Sequence, residues 1–204
     1  MRSKGLLNFS IGNDVVDLKA EDRPLHSRYI ERVFTRREKE WIGHNTARLW
    51  ECWAVKESAY KALKRVRKEC SFSPMLFEYL PERSGVRYQD MLLYVTCKTS
   101  SEMVYAVCAL SRATFVAVVK SSWVVDITSD ARFSKMHPSE AVRKLLLIKL
   151  ASSKRTVRRL LVSAPDPTVI PQLLISGESV KDLISFSHDG RFVLASYLEM
   201  CHRE

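Results

Sequence analysis

The run from Asn45 to Leu63 constrains the fold more than any other part of the chain. Asn45 or Thr46 can cap a helix start, and Leu49, Trp50, Trp53 and Tyr60 follow at three- and four-residue spacing. That spacing puts large apolar side chains on one helical face, which must be buried against another element. Leu6 to Leu18 reads as a buried strand ending at a polar turn around Gly12-Asn13-Asp14, and from about Met91 to Trp123 the pattern changes to strands. A helix between strands calls for helix-on-sheet packing.

The other signals extend this plan. Asp22 to His44 is dense in charge and reads as short helices, with Thr35-Arg36-Arg37-Glu38 matching a capping box. Met103 to Leu110 and Thr114 to Val119 read as two strands joined at Ser111-Arg112-Ala113. Asp126 to Met136 is polar and reads as an internal connection, after which Pro138 and Ser139 open a helix to about Ala151. Strands are expected at Val157 to Ser163, Gln172 to Ile175, Leu183 to Ser187 and Phe192 to Leu198, with a hairpin turn at Asp189-Gly190. The expected fold class is α+β. Two similar halves, 1–122 and 123–204, each with a small antiparallel sheet and packed helices, form one pseudo-twofold unit. The order of elements carries that picture, since no sequence repeat accompanies it.

With 46% hydrophobic residues among 204, the chain has enough apolar material for a core, which excludes a disordered or fibrous class. Five scattered cysteines without CxxC spacing read as free thiols in a reducing compartment rather than a disulfide framework or structural zinc site. No window approaches the ~20 apolar residues of a membrane span, and nothing near Met1 resembles a signal peptide. A cytoplasmic protein is expected. The 33 Lys and Arg against 23 Asp and Glu leave a net charge of +10, which favours an acidic partner.

Four clusters can carry chemistry. Asp14 follows Gly12 at the expected strand end, where glycine permits close approach; a solvated turn is the competing reading. Glu57 and Lys61 share a helix face with Trp53, as a partly buried reactive pair or as an ordinary surface ion pair. His188, beside the turn, can bind phosphate or shuttle a proton, or can be a turn residue without a task. A serine nucleophile at Ser187 paired with His188 is disfavoured, because neighbours in a strand point to opposite faces. Basic residues gather at Arg23–Arg37, Lys61–Lys68 and Lys154–Arg159. A nucleic-acid-binding module shares the positive charge, but the groups at 64–68 and 154–159 hold no aromatic for base stacking.

Taken together, Ile11-Gly12-Asn13-Asp14-Val15-Val16-Asp17 and Trp53-Ala54-Val55-Lys56-Glu57-Ser58-Ala59-Tyr60-Lys61 resemble the Gly-x-Asp and Trp/Phe-x-x-Lys-Glu-Ala/Ser-x-x-Lys signatures of the 4′-phosphopantetheinyl transferase superfamily. Arg32-Val33-Phe34-Thr35-Arg36-Arg37-Glu38 resembles the segment that family places between them, and Ile184-Ser185-Phe186-Ser187-His188 resembles its Ser-His strand. The resemblance covers the first third and the last quarter of the chain. The motif order is that of the small holo-acyl carrier protein synthase-like members, in a longer chain.

The resemblance implies transfer of the phosphopantetheine arm of coenzyme A to a serine of an apo carrier protein, with adenosine 3′,5′-bisphosphate leaving. It implies Mg²⁺ held by Asp14 and Glu57, with Asp17 as a further acid. Lys61 is then on the phosphates, Glu57 is the base, and His188 is on the coenzyme A pyrophosphate. Two departures stand out: Asn13 replaces the usual aliphatic, and Ala62-Leu63-Lys64-Arg65 replaces the frequent glycines. Lys64 and Arg65 are therefore candidate ligands of coenzyme A. The expected partners are coenzyme A and an acidic carrier protein, met by arginines between Arg23 and Arg37, with no nucleic acid or membrane. The expected state is a monomer of pseudo-dimeric halves. An inactive member that only binds carrier protein is a competing reading.

Overall fold

The computed structural model describes residues 9–20, 26–152, 160–163, 172–175, 178–179 and 183–199, the three short segments among them by backbone alone. The first unit is a five-stranded antiparallel sheet in the order β1-β5-β4-β3-β2. Its strands are β1 (Ile11–Asp17), β2 (Phe77–Leu80), β3 (Gly85–Tyr88), β4 (Met91–Thr99) and β5 (Met103–Ala109). Helices α1 (Ser27–Val33), α2 (Arg36–Ile42) and α3 (Thr46–Lys64) lie between β1 and β2 in the chain. The Thr35–Glu38 capping box is present at the start of α2, and the Asn45 side chain accepts the Arg48 N–H at the start of α3.

Helix α3 packs across β1, β5 and β4, and its inner face is largely small: Cys52, Ala54, Ala59 and Ala62 are fully buried. Gly12 makes the approach possible. A Cβ there would stand 2.0 Å from the Ser58 carbonyl oxygen and 2.6 Å from the Ala62 nitrogen, both backbone atoms that cannot give way. The glycine therefore admits a helix rather than a ligand.

The second unit has three antiparallel strands in the order β10-β11-β6. They are β6 (Ser122–Asp126), β10 (Leu183–Asp189) and β11 (Phe192–Leu198), and α5 (Pro138–Ala151) packs on β10 and β11. Strand alternation separates the faces. Ile184, Val193, Ala195 and Tyr197 share a core with Val142, Leu145 and Leu146 of α5. Phe192 and Leu194 share another with Val15 of β1. The layers run α3, large sheet, small sheet, α5. A third antiparallel sheet, β7 (Leu160–Ser163), β8 (Gln172–Ile175) and β9 (Glu178–Ser179), completes the described strands.

The α+β class is borne out, with sheets of unequal size in the two units. Several elements differ from expectation. Thr114 to Val119 is part of a helix, α4 (Arg112–Lys120), because the Ser111 hydroxyl accepts the Thr114 N–H and caps it. Thr114 and Val118 then bury one turn apart, against β-branched propensity. The hairpin partner of β5 is β4, which precedes it. The last hairpin turns through Gly190 and Arg191, with Gly190 at φ +50°. Residues 6–8, Arg23, 157–159 and the basic group 154–159 lie outside the described residues. Among the described residues, Cys52, Cys70, Cys97 and Cys108 are free thiols, and no helix is long and apolar enough to cross a membrane.

Candidate active site

Asp14 sits in the middle of β1, opposite Ala106 of β5, not at a strand end. Alternation along β1 gives even residues to α3 and odd residues to the second sheet. Asp14 therefore faces the helix that Gly12 admits. Lys61 of α3 donates to the Asp14 carboxylate Oδ1 at 2.7 Å and to the Asn13 carbonyl at 3.0 Å. The pair is half open, with side chains 30% and 12% exposed for Lys61 and Asp14.

Glu57 lies one turn before Lys61. Burial is the largest influence on it and pushes its carboxyl up to about 7; the Asp14 charge acts in the same direction, and the Lys61 ammonium opposes both. A carboxyl poised near neutrality can exchange a proton under ordinary conditions. His188, exposed on β10, completes the cluster. Burial of part of the ring, with His137, Lys61 and Arg143 nearby, holds it below its ordinary value, and Asp14 opposes them. Asp14 and Lys61 thus act electrostatically on both Glu57 and His188, which links β1, α3 and β10.

Asn13 explains how the second unit is fixed at this place. It is fully buried. Its backbone N–H donates to Ser185 Oγ at 3.1 Å. Its side-chain nitrogen donates to the Ser185 carbonyl at 2.9 Å and to Ser196 Oγ at 2.8 Å, and Ser185 Oγ donates to Asn13 Oδ1 at 3.1 Å. Ser122 Oγ adds a bond to Ser196 Oγ at 2.7 Å. An aliphatic residue at 13 would leave Ser185 and Ser196 short of buried partners. The asparagine and the two serines work as one set, a connection across 172 positions that no local pattern reveals.

Three expected participants are placed elsewhere. Asp17 falls on the odd face, and its carboxylate accepts from Lys19 N, Arg191 N and Arg191 Nε at 3.0, 3.2 and 3.1 Å. It holds the β10–β11 hairpin, whose Gly190 would meet Asp17 Oδ2 at 2.5 Å if it carried a Cβ. Lys64 donates to the Lys68 and Cys70 carbonyls beyond the end of α3, the latter at 2.8 Å. Arg65 donates to the Ile184 carbonyl of β10 and so ties α3 to the second sheet. Ser187 is buried with no partner for its hydroxyl, while His188 beside it is exposed, as alternation requires.

Lys56 has a role that its motif did not reveal. Its fully buried ammonium lies 2.7 Å from Glu38 Oε2 of the capping box and donates to the Pro74 and Phe77 carbonyls at 2.9 and 2.7 Å. Glu38 in turn accepts from Thr35 N and Tyr79 N at 2.8 and 2.7 Å. The co-occurrence of Glu38 and Lys56 in two recognisable segments was the available signal.

The model of the 4′-phosphopantetheinyl transferase superfamily matches residues 10–109. No curated protein matches the chain. The matched stretch runs from the start of β1 to the end of β5 and contains Gly12, Asp14, Glu38, Lys56, Glu57 and Lys61. Over that stretch, just under half of its length, the chain is similar to the 4′-phosphopantetheinyl transferase superfamily.

Proposed function

We propose that the protein transfers the 4′-phosphopantetheine moiety of coenzyme A to a serine of an apo carrier protein, in a Mg²⁺-dependent reaction. The observation that carries this reading is the convergence of Asp14, Glu57 and Lys61 across the β1–α3 contact, with Glu57 raised to about 7.

Asp14 and Glu57 fit Mg²⁺ by donor chemistry. Two carboxylates near one another offer hard oxygen ligands. That is the donor set of an ion that keeps several waters and takes substrate phosphates as further ligands. When bound, Mg²⁺ would offset charge on the diphosphate and favour departure of its leaving group.

The protein's own groups divide the remaining work. Glu57, once unprotonated, takes the proton from the carrier serine hydroxyl as that oxygen attacks the pantetheine-side phosphorus. A P–O bond forms to serine, the bond to the bridging oxygen breaks, and adenosine 3′,5′-bisphosphate departs with the bond's electrons. Lys61, held at Asp14, faces the negative charge of the diphosphate. His188 is assigned to the same phosphates. On this reading the first half supplies the carboxylates and the second supplies His188, so one cytoplasmic chain of two pseudo-dimeric halves needs no partner subunit. Arg28 and Arg32, exposed on α1, are candidates for meeting an acidic carrier.

Incubation with coenzyme A, Mg²⁺ and a panel of apo carrier proteins, read by intact mass, tests the reading. The expected result is a gain of one phosphopantetheinyl group on at least one carrier. Unmodified carriers throughout, together with no change in melting temperature in millimolar coenzyme A and Mg²⁺, would overturn it.

A further inference from the structure

β1 is an edge strand of the large sheet, paired with β5 alone. Its outward N–H groups are buried and need partners from elsewhere. β10 supplies them by side chain rather than by backbone. The Asn13 N–H donates to Ser185 Oγ, and the Asp17 N–H donates to Asp189 Oδ2 at 2.6 Å. The step from 13 to 17 on β1 matches the step from 185 to 189 on β10, so β10 runs along the free edge and is fastened at two points. His188 lies between them, next to the second.

The second fastening is built around Arg191, in the turn of the β10–β11 hairpin. Its backbone N–H and its Nε both donate to Asp17 Oδ2, on a side chain only 5% exposed. The other guanidinium nitrogens stand 3.7 Å from Glu102 Oε1, just before β5, and 3.8 Å from Asp126 Oδ2, at the end of β6. The guanidinium carbon lies 4.9 Å from the centre of the Phe192 ring, and Phe192 packs on Val15, the neighbour of Asp14. One side chain thus meets carboxylates from three strand ends. Exposed ion pairs contribute little, but a guanidinium on a buried carboxylate fixes direction as well as distance.

We propose that Arg191 is a positioning residue: by clasping Asp17 it holds the turn end of the hairpin on β1, and so sets where His188 stands relative to Asp14 and Lys61. This role rests on the transferase reading and extends it to a residue outside the matched stretch. Arg191 acts through His188 and touches no substrate. A side chain displaced by about an ångström loses much of its contact, so the clasp reaches the site through geometry alone.

The test is a double-mutant cycle, read by calorimetric titration of the full chain with coenzyme A in Mg²⁺ at equal folded fraction. His188→Ala should weaken binding by about tenfold. Arg191→Gln should weaken it by about three- to tenfold in the wild-type background and by a factor of about one in the His188→Ala background. A merely structural loss would act equally in both backgrounds. Arg191→Lys keeps the charge without the fork, should fall between wild type and Arg191→Gln, and carries the same cycle if the glutamine variant does not fold. Factors that multiply, or no effect of either Arg191 variant on the wild type, overturn the positioning role alone. No effect of His188→Ala overturns the role of His188 and the clasp together. No binding of coenzyme A by the wild type overturns the transferase reading with them.

Discussion

Lys56 and Glu57 are neighbours on α3; Lys56 belongs to one carboxylate–lysine pair and Glu57 stands beside another, and the two pairs are built to opposite ends. Glu38–Lys56 is sealed, with side chains 1% and 0% exposed and backbone groups satisfying what the ion pair leaves over. Asp14–Lys61, with Glu57 one turn away, is half open, and burial raises Glu57 without a partner that fully offsets it. Successive helical residues point about 100° apart, so one stretch of chain serves both. The difference shows that satisfied charge holds a fold together, while charge left in tension is available for reaction. It also explains why the two residues travel as one motif: Lys56 fixes the helix that presents Glu57.

The sealed pair should break hardest. Lys56→Met leaves Glu38 charged and buried, and should destabilise the protein by about 3–5 kcal/mol in urea unfolding. Adding Glu38→Gln should recover only part of this, because the Pro74 and Phe77 carbonyls remain without the ammonium. At the open pair, Asp14→Asn should lower transfer by about 10²–10³-fold, comparable to loss of one preorganised polar group, with the melting transition retained.

Glu57→Gln sharpens the contrast, because it should stabilise the protein. The native carboxyl titrates near 7, above its ordinary 4.5. Its protonated form therefore favours the native state, and this contribution is complete below about pH 4.5 and lost as pH rises to about 7. Removing the charge should add up to about 3 kcal/mol above pH 7 and much less at pH 4.5, read as the urea midpoint at the two pH values. Gly12→Ala forces α3 and β1 apart and should cost about 1–3 kcal/mol. It should also lower transfer, since it separates Lys61 from Asp14. A stable Gly12→Ala protein with unchanged transfer would contradict the role assigned to that contact.

Local chemistry made much of this legible. Hydroxyl and amide caps at Thr35 and Asn45, the limits of α5 and the glycine turn at Gly190 all follow from neighbours in sequence. Residues 14, 57, 61 and 188 were also readable, because motif spacing records which groups act together. What escaped depended on partners far along the chain. The four-residue strands β2 and β3 exist through antiparallel pairing that no short window displays. Thr114–Val119 has strand propensity, and only the Ser111 cap and the burial of one face make it helical. Asp17 looked like a metal ligand by proximity to Asp14, but an odd spacing in a strand places it on the other face. Lys64 and Arg65 looked available for anions until the ends of their side chains were located.

The most direct measurement is the single-turnover loading of an apo carrier by wild type and Glu57→Gln, at equal folded fraction, across pH 5.5 to 8.5. The account predicts that wild-type loading rises with pH as Glu57 loses its proton: burial holds the metal-free carboxyl up to about 7, and Mg²⁺ bound beside it would draw that midpoint lower. The variant should be slower by about 10²–10⁴-fold and flat through that range. Wild-type rates in Glu57→Gln, or a rise of rate with pH that survives the substitution, would contradict the assignment of Glu57 as the base.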